Sequence, residues 1–261
     1  MGGARRDRAA RLSPRPQVVI REQVYGRRAV HEALRGRREV LELWVTERAL
    51  GAEDWLREVP GLRVQIKPDR ALNGAAGTPD HQGVLAWCTA YPYADAYELA
   101  VEPSPLLVCL DQVTDPHNLG AVCRSAEGAG ATGVVLPAHG SARVTPAVCR
   151  ASAGAVEHVP VAVVPNLARF LTDVKGPDLW VWQASGEAET AMWDADLTGG
   201  VALVFGAEGK GIRPLVRRAC DGAVAVPLAG QVESLNVSVA AAVLLYEARR
   251  QRSRVGAAAD A

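Results

Sequence analysis

Three short stretches concentrate the polar side chains of an otherwise apolar part of the chain. The first reads Asp115-Pro116-His117-Asn118-Leu119-Gly120-Ala121-Val122-Cys123-Arg124-Ser125-Ala126. Asn118 fits as a helix N-cap, and a turn leading into a capped helix accounts for Asp115, Pro116 and Asn118 with no further role. Arg124 is harder to account for. Ala121, Val122, Cys123 and Ala126 surround it on a helix expected to be largely covered, and a buried guanidinium needs a partner or a ligand. The second stretch is Gly206-Ala207-Glu208-Gly209-Lys210-Gly211. It lacks the spacing of the phosphate-cradling glycine motifs, and a carboxylate in mid-loop would repel a phosphate. Glu208 suits hydrogen bonds from a cationic or hydroxyl-bearing partner, although the glycines could equally serve only a tight turn. The third stretch, 226–236, holds Ser234 and Asn236, either able to cap the apolar helix that follows, and leaves the backbone around Leu235 available to a ligand.

Each stretch follows an apolar run that reads as a strand. Strands are expected at 106–110, 133–136, 159–164, 179–182, 201–205 and 223–226, with helices at 119–129, 147–152, 167–174 and 236–250. Continuous apolar strands alternating with helices imply a mostly parallel sheet covered on both faces, with ligands bound at the carboxyl ends of the strands. Three polar loops on such ends outweigh one. Upstream, a helix entry at 24–34, a strand at 40–45, a helix at 55–59 and strands at 63–66 and 83–88 predict a small α/β domain. The expected organisation is a basic flexible arm (1–20), a small domain (21–90), a linker carrying Pro92, Pro103 and Pro105 (91–105), a larger α/β domain (106–250) and a tail (251–261).

The chain has 261 residues, 49% of them hydrophobic, which excludes a disordered or fibrous protein. Charge balances at 29 Lys+Arg against 29 Asp+Glu, but the first forty residues hold 11 arginines and 4 acids. That front suits a polyanion, because arginine pairs with phosphate through charge-assisted hydrogen bonds; a solubilising tail or a biased genome composition would leave the same pattern. No apolar run approaches the roughly 20 residues of a membrane span, and no leader pattern is evident, so a cytoplasmic protein is expected. The 5 cysteines and 5 histidines are scattered without metal-ligand spacing, so no metal is expected and the cysteines read as small buried side chains. The 6 tryptophans read as core or interface.

The motifs DPHNLGAVCRSA, VFGAEGKG and VPLAGQVESLNVSVA resemble those of the SpoU (TrmH-like) family of RNA ribose 2'-O-methyltransferases in the SPOUT superfamily. The front segment from Val24-Tyr25-Gly26-Arg27 and the joint Asp80-His81-Gln82-Gly83-Val84 are similar to the small substrate-binding domain of its 23S rRNA guanosine-2'-O-methyltransferase branch, so the resemblance covers roughly 24–250. It implies an α/β fold whose carboxyl-terminal part forms a deep trefoil knot, an exception to the rule that chains are unknotted. It further implies S-adenosylmethionine as cofactor, held through Gly206, Val226, Leu228 and Leu235, and a homodimer with its sites close to the interface. The catalytic positions it implies are Arg124, Asn118, Glu208, Ser234 and Asn236.

Methyl transfer to a ribose must align two reactants and manage one proton and one developing oxyanion. A guanidinium is effectively always protonated, so a cautious role for Arg124 is to bind the substrate phosphate and stabilise the forming alkoxide. Arg27, Arg28, Arg35, Arg37 and Arg38 are candidate phosphate contacts that would position RNA without reading its sequence. Aromatic content of 5% does not indicate a base-stacking platform, so specificity is expected to rest on RNA shape, with neither DNA nor membrane as partner. The alternatives are a tRNA or antibiotic-resistance ribose methyltransferase, a non-catalytic RNA-binding assembly factor of the same fold, and, remotely, a nucleotide-phosphate enzyme built on the 206–211 loop.

Overall fold

The computed structural model describes residues 20–207 and 209–259, with side chains described through residue 255. All of the expected arm except Ile20 lies outside the described residues. The small domain is a mixed sheet in the order β1-β4-β2-β3, formed by β1 (Arg21–Tyr25), β2 (Val40–Val45), β3 (Val64–Ile66) and β4 (Val84–Thr89). Its helices are α1 (Arg27–Ala33), α2 (Glu47–Ala52) and α3 (Asp69–Ala76). Where the sequence suggested one helix at 55–59, α2 comes earlier, capped by the Thr46 hydroxyl accepting from the Ala49 amide at 3.2 Å, and only a 3-10 turn, Asp54–Arg57, follows.

The larger domain begins with α4 (Ala96–Ala100) and β5 (Leu106–Asp111), then α5 (Pro116–Ala129), β6 (Gly133–Pro137), α6 (Pro146–Ala151), β7 (Val161–Val164) and α7 (Leu167–Val174). It continues through β8 (Leu179–Ala184), β9 (Gly200–Gly206), α8 (Pro214–Ala219), β10 (Gly222–Val224) and α9 (Val237–Ala259). Its six strands are all parallel, in the order β10-β8-β9-β5-β6-β7. Burial on both faces explains their unbroken apolar runs. Leu106, Val108 and Leu110 of β5 face a core shared with Leu119 and Val122 of α5 and Leu244 and Leu245 of α9; Leu107 and Cys109 face Phe170 and Leu171 of α7 and Val216 of α8. The strand order reverses between β5 and β9, the place where such sheets open a crevice at the carboxyl ends.

The first of these cores runs on into the small domain through Val24, Val30, Leu43 and Ala86. The stretch expected as a linker is therefore packed rather than free. Tyr91 is buried and donates to the Val156 carbonyl at 2.8 Å, and Ala94 bridges Ala162 beside β7. The expected tail is also corrected, because α9 runs on to Ala259. Polar side chains hold this extension. Gln251 accepts from the Leu197 amide at 2.9 Å and donates to the Ala195 carbonyl at 3.1 Å, and Arg252 donates to the carbonyls of Leu197, Ser104 and Pro105. Apolar periodicity fades there, so the helix did not show in the pattern.

Candidate active site

The crevice between β5 and β9 is built around a carboxylate. Asp111 ends the apolar strand β5, is fully buried, and pairs in register with Gly206 at the end of β9. Its carboxylate accepts from the Arg213 backbone amide at 2.8 Å, from Nε at 2.8 Å and from Nη2 at 2.6 Å. This latch ties the far end of the loop after β9 back onto β5. Within the loop, a Cβ on Gly206 would lie 2.2 Å from the Gly211 backbone, and the Gly211 amide donates to the Ala207 carbonyl at 2.8 Å. Here the turn requirement suggested by the sequence is real: only glycine fits at 206. Glu208 lies outside the described residues.

Helix α5 starts one turn earlier than expected. Pro116 occupies its first turn, where proline is favoured, and the Asp115 carboxylate accepts from the His117 amide at 2.8 Å as the N-cap. Asn118 is therefore not the cap. Its Oδ1 accepts instead from Asn236 Nδ2 at 3.0 Å, joining the first and third stretches across 118 positions of sequence. Asn236 does cap α9, its Oδ1 accepting from the Ser238 amide at 2.8 Å and the Ser238 hydroxyl at 2.6 Å. Beside this pair a cavity of about 320 Å³ is lined by Gln112, Thr114, Asn118, Ala207, Lys210 and Val237.

Arg124 corrects a second expectation, for it is exposed, not covered. Val122, Cys123 and Ala126 point to the core, whereas Arg124 shares with His117, seven residues earlier, the flank that faces a cleft between the domains. At a rise of 1.5 Å per residue, Asn118 and Arg124 stand about 9 Å apart along the helix. One helix thus presents one end to the cavity and its third turn to the cleft.

Of the third stretch, Val226 packs half-buried against the core, Leu235 is half-buried, and Ser234 and Leu228 are exposed. The backbone of 226–235 makes no backbone–backbone hydrogen bond among the described residues. Its amides and carbonyls are left for another partner.

The candidate phosphate contacts separate into three kinds. Arg28 is exposed at the cleft, and Arg35 is exposed beside Glu32 at 3.7 Å. Arg27 is spent on Glu53 at 3.0 Å and the Gln82 carbonyl at 3.3 Å, and Arg37 on the Val159 carbonyl at 2.9 Å. Arg38 is not a surface contact at all. Its side chain is 2% exposed and meets both carboxylate oxygens of Glu157, itself 1% exposed, from Nε at 3.0 and 3.1 Å, with Nη1 reaching Glu22 at 3.3 Å. It pins the small domain to the large one. Burial alone would lower the Arg38 pKa, but the Glu157 carboxylate outweighs it and holds the guanidinium firmly protonated. Burial pushes the thiols of Cys88, Cys123 and Cys149 up to about 12, so these are unreactive. Among the described residues no group of three His, Cys, Asp or Glu side chains gathers as a metal site requires.

Sequence reasoning missed Asp111 and Arg213. A carboxylate closing the run Leu106-Leu107-Val108-Cys109-Leu110 was the one available signal for the first. Comparison with known proteins follows the same outline. The model of the SpoU rRNA Methylase family matches residues 105–246, and that of RNA 2'-O ribose methyltransferase substrate binding matches 23–94. The chain belongs to the SpoU family. It is 40% identical over 244 residues to YacO of Bacillus subtilis, named for the TrmH family of tRNA/rRNA methyltransferases, covering 90% of this chain and 98% of that one. It is 46% identical over 210 residues to the 23S rRNA (guanosine-2'-O-)-methyltransferase RlmB of Ralstonia nicotianae, covering 78% and 84%. The SpoU methyltransferase AviRb of Streptomyces viridochromogenes, in complex with AdoMet, superimposes with a TM-score of 0.74 at 26% identity over 90% of this chain and 91% of that one.

Proposed function

We propose that this SpoU enzyme methylates the ribose 2'-hydroxyl of a guanosine in 23S rRNA, using S-adenosylmethionine. The observation that carries the reading is the Asn236–Asn118 hydrogen bond, which closes the first and third motif loops around the crevice between β5 and β9. The residues present fit the cofactor: Val226, Leu228 and Leu235 offer apolar contact for an adenine, and the unpaired backbone of 226–235 offers donors and acceptors for its edge. S-adenosylmethionine supplies an already activated methyl group. The remaining work falls to the chain. Asn118, fixed by Asn236, orients the ribose, and Arg124 in the open cleft holds the substrate phosphate and stabilises the developing alkoxide, while the proton leaves to phosphate or water. The motif resemblance assigns Glu208 and Ser234 to the same chemistry, and Gly206 gives the loop its close turn. The small domain, with Arg28 and Arg35 exposed, presents RNA to the cleft. The trefoil threading and the homodimer belong to the same reading; the exposed Val239 and Tyr246 on α9 support the second.

Labelled methyl transfer to total rRNA and, separately, to tRNA, followed by mass mapping, tests the reading. A 2'-O-methylguanosine in large-subunit rRNA is the expected result. Methylation of tRNA alone would overturn the substrate, and cofactor binding without transfer to naked RNA or precursor particles would overturn the activity.

A further inference from the structure

Several of the described arginines are held by acids of the chain itself. Arg27, Arg38, Arg213 and Arg250 each lie within 3.3 Å of a carboxylate oxygen. Between the small domain and the α5–α6 side of the large one, two adjoining hollows of about 680 and 720 Å³ share Arg28, Arg124 and Ala153, and the second also holds Arg150. None of these three guanidiniums has an ion pair or hydrogen bond among the described residues. Three elements, α1, α5 and α6, therefore bring unpaired positive charge to one cleft.

Arg150 is the most telling of them. Its stem crosses from α6 over the backbone at Gly26, where an added Cβ would lie 2.7 Å from Cδ, and its Nε is buried without an acceptor. A buried donor left unmet costs stability and calls for an explanation, and a ligand oxygen supplies one. The acids that face the cleft do not supply it. Glu53 is taken by Arg27 and the Trp55 indole, Glu32 by His158 and His31, and neither Asp80 nor Glu127 is paired with any of the three arginines. The hollows have room for a nucleotide or two of single strand. RNA offers phosphates at that spacing when a loop or bulge splays its bases out.

We propose that Arg150, with Arg28, forms a phosphate subsite that grips the RNA strand next to the nucleotide whose ribose meets Arg124. Arg150 is then a positioning residue for the strand, and it rests on the reading of the chain as an RNA methyltransferase. The gap between the domains is the strand's path, held at fixed width by the Arg38–Glu157 pair on the same interface.

The test uses the full-length enzyme and an rRNA fragment that the wild type methylates. Arg150→Met keeps the stem over Gly26 and removes the charge; KM for RNA is expected to rise about tenfold while affinity for S-adenosylmethionine is unchanged. The slope of log binding constant against log salt should fall by about 0.7, the value for one lost single-strand phosphate contact, and Arg150→Lys should restore most of it. Arg28→Gln, at an exposed site, gives the same readings should Arg150→Met fold poorly. An unchanged salt slope in both variants, with the wild type active, overturns the subsite alone. A wild type that methylates no RNA overturns the function on which it rests.

Discussion

Replacing Glu157 by Gln should destabilise the protein far more than a surface charge change would. In the wild type both carboxylate oxygens meet Arg38 Nε within 3.1 Å, and both side chains are almost wholly buried. In Glu157→Gln one amide oxygen can still accept, but the buried negative charge is gone, and the only carboxylate left to the guanidinium is Glu22, at 3.3 Å and partly in solvent. Removing one partner of a buried pair costs about 3–5 kcal/mol, because the other charge stays buried and uncompensated. At about 2–4 °C per kcal/mol for a chain of this size, the melting temperature should fall by on the order of 10 °C. Arg38→Met combined with Glu157→Leu removes both charges together and should recover most of the loss, since apolar replacements of buried pairs are often close to neutral. Urea unfolding of Arg38→Met, Glu157→Leu and the two combined gives the coupling energy directly. A loss under about 1 kcal/mol in Glu157→Gln would refute the reasoning, as would an Arg38→Met variant of normal stability with weakened RNA binding, which would return Arg38 to the list of phosphate contacts.

Asp111→Asn should loosen the loop that Arg213 anchors. A charge-assisted hydrogen bond of this kind is worth about 1.5–3 kcal/mol, so calorimetry should show cofactor affinity reduced at least tenfold. Arg124→Lys keeps the charge and loses the planar fork; methyl transfer should collapse with cofactor binding intact, and full activity would show that charge alone suffices. Burial pushes the Glu32 carboxyl up, but hydrogen bonds from His158 and His31 outweigh it and hold it below the usual range. A lowered folded value means that its contribution is present above the ordinary carboxylate range and is lost as pH falls through the folded value. The melting temperature of Glu32→Gln should therefore decline less steeply than that of the wild type below about pH 5, and parallel curves would count against the contribution.

The larger sheet was legible because each strand is covered on both faces and leaves an unbroken apolar run. All six strands lie within a few residues of their expected places. The small domain was harder to read. β1 hid inside the approach to α1, and α3 carries few apolar positions, with only Leu72 buried on it. At the site, the order and place of the three polar loops could be read, but not which partner each side chain takes. The spacing suggests Asn118 as the cap, but Asp115 holds that position and Asn118 meets Asn236 instead. Arg124 looked buried because its neighbours in sequence are apolar, yet a helix turns about 100° per residue and carries it onto the flank. The arginines of the front show the same limit most sharply. Arg35, Arg37 and Arg38 lie within four positions and are indistinguishable by composition, but one stands 64% exposed, one is spent on a carbonyl, and one is buried against an acid 119 positions away. An arginine to which the fold has brought a carboxylate or backbone carbonyls is spent on the structure. Arg28, Arg124 and Arg150 have no such partner and line one cleft, where they stand together to meet an anion from outside.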